Sequence, residues 1–124
     1  MYLEIGGEEV ISKLVDDFYH IMSHDPLAKE CFATHAGKDI HESAQKLKAF
    51  LSGWTGGPQL YLEKYGHPRL RMRHFPFAIG TREGEQWLYC MHKALSQSSI
   101  ESGLQSHLIK AFENVVSMLT EGRS

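Results

Sequence analysis

The sequence predicts an all-helical fold, on three observations. Apolar residues recur at spacings of three and four, no segment keeps a period of two, and caps and breakers divide the periodic stretches. Residues 8–23 carry Val10, Ile11, Leu14, Val15, Phe18 and Met22 on one helical face. Asp25-Pro26 reads as a cap followed by a first-turn proline, opening a short helix through Phe32. A loop follows over 34–38. Asp39 is placed to cap a helix with the stripe Ile40, Ala44, Leu47, Phe50, Leu51 and Trp54, which Gly56-Gly57-Pro58 stops. Residues 59–77 are the least regular, punctuated by prolines, with one short helix expected over about 68–74. Thr81 is a candidate cap for a helix to about Leu95 that turns Trp87, Leu88, Met91, Ala94 and Leu95 inward. The last helix is expected to open on a capping box, Ser102-Gly103-Leu104-Gln105, and to end at Gly122.

At 124 residues the chain fits one domain, 1–124. Thirteen basic against fifteen acidic side chains, a formal charge of -2, argue against nucleic acid or an anionic membrane as partner. No apolar run reaches the roughly 20 residues needed to span a bilayer. The acidic N-terminal stretch does not read as a signal peptide, and Cys31 and Cys90 form no disulfide framework or CxxC pair. A reduced, cytoplasmic protein is therefore expected.

Eight histidines are many for this length. His20 and His24 have the spacing of a two-histidine metal face, but without the carboxylate of HExxH they read as surface residues. His92 and His107 read as solvated, and His35 and His41 lie in or beside a loop. His74 differs in context: Arg71 and Arg73 precede it and Phe75-Pro76-Phe77 follows. Local chemistry leaves two readings open. One is an ordinary capping or packing histidine. The other is a haem ligand, with Phe75 and Phe77 lining an apolar slot and Arg73 pairing with a propionate.

The wider sequence resembles a family. Gly56-Gly57-Pro58 with Leu60-Tyr61, then Gly66-His67-Pro68-Arg69-Leu70-Arg71-Met72-Arg73-His74, is similar to the group II truncated haemoglobins. The likeness continues through Phe75-Pro76-Phe77-Ala78-Ile79 and Trp87-Leu88-Tyr89-Cys90-Met91, and upstream through Leu14-Val15-Asp16-Asp17-Phe18-Tyr19. It implies a two-over-two helical sandwich around one haem b, with His74 as the proximal iron ligand. Tyr19 and Trp87 then fall at the distal positions, where core aromatics would otherwise be the ordinary reading. Ser43 and Leu47 line the distal wall with Phe50 one turn on, and Phe32 packs on the haem edge. Tyr61, Lys46 and Arg73 correspond to propionate-side residues, and Phe77, Ile79 and Met91 to haem contacts. The connection from Phe32 to Phe50 is a few residues longer than the family pattern, which brings His35 and His41 near the distal side. Tyr19 or either of those histidines is thus an alternative sixth ligand.

The ligands implied are O2, CO and NO, held by a monomer or weak dimer, with an unidentified reductase as a further partner. Two donors beside the iron point to tight oxygen binding and to a redox or detoxification role, nitric oxide dioxygenase or peroxidase-like turnover among them. A simple reversible oxygen carrier stays open, as does a cofactor-free helical interaction domain. A di-iron bundle is disfavoured, because inward Glu-x-x-His pairs are missing.

Overall fold

The computed structural model describes residues 2–33, 39–65 and 81–120. Seven α-helices follow one another in these segments: α1 (Tyr2–Ile5), α2 (Gly7–His24), α3 (Lys29–Ala33), α4 (Ile40–Trp54), α5 (Leu60–Tyr65), α6 (Thr81–Ser96) and α7 (Ser102–Thr120). A 3-10 turn, Pro26–Ala28, joins α2 to α3. No strand occurs among the described residues, and none of their helices is long and apolar enough to cross a membrane.

The expected stripes form the core. Ile11, Leu14, Val15, Phe18 and Met22 of α2 are buried. They meet Ala44, Leu47, Phe50 and Leu51 of α4, and Trp87, Met91, Ala94 and Leu95 of α6. Packing runs from α2 to both α4 and α6, and from α6 on to α7. Helix α2 is longer than the expected span, 8–23, by one residue at each end.

Local chemistry sets the ends. Asp25 Oδ1 accepts from the Leu27 amide at 3.0 Å, and Asp39 Oδ1 from the His41 amide at 2.9 Å, as the caps require. At the other end of α4, Gly56 donates to the Gly53 carbonyl (3.0 Å) and Gly57 to the Ser52 carbonyl (2.8 Å). That is a Schellman closure, and Gly56 takes the positive φ of 95° that it demands. Gly57 is small for a different reason. A Cβ there would come within 2.3 Å of the Tyr2 ring, so the glycine lets α1 lie across the end of α4.

Four details differ from the sequence expectations. Glu101, not Ser102, caps α7: its two carboxylate oxygens accept from the Gly103 and Leu104 amides at 3.0 and 3.2 Å. The longer acidic side chain satisfies two orphan donors at once and places negative charge at the positive helix end. Gln105 reaches back to the Ile100 carbonyl at 2.7 Å, so Ser102 is simply the first helical residue. Thr81 likewise begins α6 rather than preceding it. The short helices α1 and α5 were not anticipated. The helix expected over 68–74, the loop over 34–38 and the expected end of the last helix at Gly122 lie outside the described residues.

Candidate functional site

Phe18 lies at the centre of the contact between α2 and α6. It is fully buried, with the Tyr19 ring 4.9 Å away on one side and the Trp87 ring 5.0 Å away on the other, both edge-on. Helical geometry explains the arrangement. Val15, Phe18, Tyr19 and Met22 follow at three- and four-residue steps along the inward face of α2. Phe112 of α7 closes the far side of Trp87 at 5.5 Å. The two polar aromatics singled out in the sequence are thus brought to one ring, at 5% and 4% exposure.

Burial disfavours ionisation of the hydroxyl on this wall. It pushes the Tyr19 hydroxyl far above the ordinary phenol range, with the neighbouring Cys31 adding a smaller push. The phenol therefore keeps its proton and can donate it. Burial likewise pushes the Cys31 thiol up to about 12, with Cys90 and then Glu83 contributing, and the Cys90 thiol up to about 12. Both are free thiols rather than thiolates, and Cys31 Sγ lies 4.0 Å from Met22 Sδ.

On α4, Ser43, Leu47 and Phe50 are buried on one face, with Met91 of α6 also wholly buried. Tyr61 of α5 is buried edge-on to Phe50, ring centres 6.1 Å apart. Lys46 stands at the half-exposed edge of α4, 3.6 Å from Glu42. Phe32, at the end of α3, is 38% exposed. His41 occupies the exposed first turn of α4, while His92 and His107 are exposed on α6 and α7. His74, Arg73, Phe77, Ile79 and His35 lie outside the described residues.

Sequence reasoning missed a polar stripe on α6 that ties this helix to the start of α3. Gln86 Oε1 accepts from the Cys31 amide at 2.8 Å, and its Nε2 donates to Glu30 at 3.0 Å. Arg82 is 3.7 Å from Glu30. Tyr89 donates to Asp25 at 2.6 Å and Lys93 approaches the same oxygen at 3.2 Å. The Tyr89 bond, before the Leu27 amide and Lys93, holds the Asp25 carboxyl below its ordinary range. Its support is therefore present above the ordinary carboxylate value and is lost as pH falls through the lowered one. The available signal was the spacing of Arg82, Gln86, Tyr89 and Lys93, a polar line beside the apolar stripe.

The bacterial-like globin family matches residues 1–120. The chain is 41% identical over 110 residues to the Group 2 truncated hemoglobin YjbI of Bacillus subtilis, covering 89% of this chain and 80% of that protein. Among solved structures, a cold-adapted truncated hemoglobin from Pseudoalteromonas haloplanktis superposes with a TM-score of 0.89. The two are 37% identical, over 96% of this chain and 95% of the other. A truncated oxygen-avid haemoglobin from Bacillus subtilis gives 0.81 at 39% identity, over 96% and 97%. Proteins of this family carry haem b, and the described side chains fit that group. Leu47, Phe50 and Met91 offer buried apolar surface, Tyr19 a buried protonated hydroxyl, and Lys46 a charge at the edge of α4. The chain is a member of the bacterial-like globin family, a group II truncated haemoglobin with the two-over-two helical fold that binds oxygen through haem b.

Proposed function

We propose that this protein holds oxygen tightly, with Tyr19 and Trp87 as the donors to it, and serves in redox protection against nitric oxide or reactive oxygen species rather than in oxygen delivery. The observation that carries the reading is the shared burial of Tyr19 and Trp87 against Phe18, with the phenol kept protonated. Haem b supplies the iron at which a diatomic ligand binds. His74 holds that iron in this reading. Arg73, Tyr61 and Lys46 attend the propionates, and Leu47, Phe50, Phe77, Ile79, Met91 and Phe32 border the macrocycle.

Tyr19 and Trp87 discriminate among ligands by charge. With haem b bound, oxygen would gain electron density, so the Tyr19 O–H and the Trp87 N–H, if they donate to it, would each contribute about 1.5–3 kcal/mol. Two such bonds slow oxygen loss by about two to four decades. Carbon monoxide is less polarised and gains less. Ring packing of Tyr19 on Phe18 and of Trp87 on Phe18 and Phe112 supports a wall whose donors would be held in place before the ligand arrives. The oxygen-avid character of the Bacillus subtilis structure supports the same reading.

Slow release would favour conversion of nitric oxide to nitrate: with haem b in place, oxygen and nitric oxide would combine to nitrate with one electron drawn from the iron, which an external reductase would return. The test is nitrate yield from nitric oxide with a reductant present and oxygen limiting. Wild type is expected to convert nitric oxide to nitrate, and Tyr19→Phe to do so several-fold less efficiently. No nitrate from wild type contradicts the redox role, and equal yields contradict the part given to Tyr19.

A further inference from the structure

We infer that His20 and His24 form a surface site for a divalent transition-metal cation, preferring Cu2+ over Ni2+ or Zn2+. Both residues lie on the outward face of α2, exposed, although His20 directly follows the buried Tyr19. At a spacing of four they stand one above the other on the helix. Their ring centres are 4.2 Å apart and the planes are tilted by 30°. Two imidazoles bound side by side on one metal, at about 2.1 Å per bond, bring their ring centres to about 4.5–5 Å. A small opening of the rings suffices.

The hydrogen bonds around His24 decide which nitrogen is offered. His24 Nδ1 lies 2.8 Å from the His20 carbonyl oxygen, which can only accept. Nδ1 therefore carries the proton, and the lone pair of the neutral ring sits on Nε2. Ser23 Oγ donates to the same carbonyl at 3.0 Å and lies 2.9 Å from Nδ1, reinforcing that arrangement. A ring whose far N–H is tied to a backbone carbonyl is in the state that metal-binding histidines adopt, oriented and tautomerically fixed.

Neighbouring carboxylates are otherwise engaged. Asp16, one turn before His20, pairs with Lys48 at 2.9 Å, and Asp25 is taken by Tyr89 and Lys93. No group of three or more metal-type ligands occurs among the described residues, so the site offers two nitrogens and leaves water to complete the coordination. Two imidazoles favour copper, by ligand type and by the general order of divalent affinities.

The experiment titrates Cu2+ into the haem-loaded protein, stripped of metal by chelator, with a chromophoric chelator as competitor. Wild type, His20→Gln, His24→Gln and a His107→Gln control are compared, and intact haem absorbance shows that each is folded. The tightest Cu2+ site is expected to weaken by about tenfold or more in His20→Gln and in His24→Gln, and to be unchanged in His107→Gln. Copper bound to wild type is expected to show two equivalent nitrogen couplings by electron paramagnetic resonance. Equal affinity in wild type and both α2 variants, loss in only one of them, or a single coupled nitrogen would overturn the site. None of these outcomes bears on the distal roles of Tyr19 and Trp87, which face the other way.

Discussion

The wall between α2 and α6 and the outer edge of α4 both carry residues that the family pattern assigns to the haem pocket, yet their physics differs. At the wall, Phe18, Tyr19 and Trp87 are buried in edge-on contact, and burial, with a smaller push from Cys31, raises the Tyr19 phenol further above its ordinary range. Lys46 and Glu42, at the edge, form a 3.6 Å pair that solvent reaches. The first region is closed by ring packing, while the second is open to solvent. Chemistry that depends on a donor held in place belongs at the wall, and loose electrostatic attraction belongs at the edge.

The contrast can be broken first at Trp87. Trp87→Ala empties a site packed between Phe18 and Phe112, and chemical denaturation should report a loss of about 3–5 kcal/mol. A loss below 1 kcal/mol would mean that the wall is not rigid. Gln86→Leu comes next. It removes the acceptor of the Cys31 amide and the donor to Glu30, at an expected cost of about 1–3 kcal/mol. If the clamp aligns α3 with α6, oxygen release should also change in this variant, and an unchanged rate would reduce Gln86 to a purely stabilising part. The smallest effect is expected from Lys46→Ala, within about 0.5 kcal/mol, because exposed pairs at helical spacing contribute little. A larger loss would show that the edge is as constrained as the wall.

The sequence was most readable where burial and periodicity coincide. The α2 stripe through Val15, Phe18 and Met22, and the α6 stripe through Trp87, Met91 and Leu95, both form core as expected. Short elements were harder, because six residues such as Leu60–Tyr65 hold less than two helical turns and carry no repeating stripe. The start of α7 misled for a chemical reason. Ser102 and Gln105 mimic a capping box, but the Glu101 carboxylate competes for the same amides and can reach two of them. For the candidate site, Tyr19 and Trp87 were singled out from the motif, and both pack on Phe18, while their distal role is a proposal. Gln86 was not, since its partners lie 55 and 56 positions away and only folding brings them near. His74, the residue on which the family likeness turns, lies outside the described residues.

The most direct measurement is stopped-flow oxygen release from the reduced haem protein in wild type, Tyr19→Phe and Trp87→Phe. Phenylalanine at position 19 keeps the ring against Phe18 and removes only the hydroxyl. Loss of one charge-assisted bond should speed release by about tenfold to a hundredfold in Tyr19→Phe, with a comparable rise in Trp87→Phe. Unchanged release in both variants would contradict the distal roles of Tyr19 and Trp87, and with them the tight hold on oxygen.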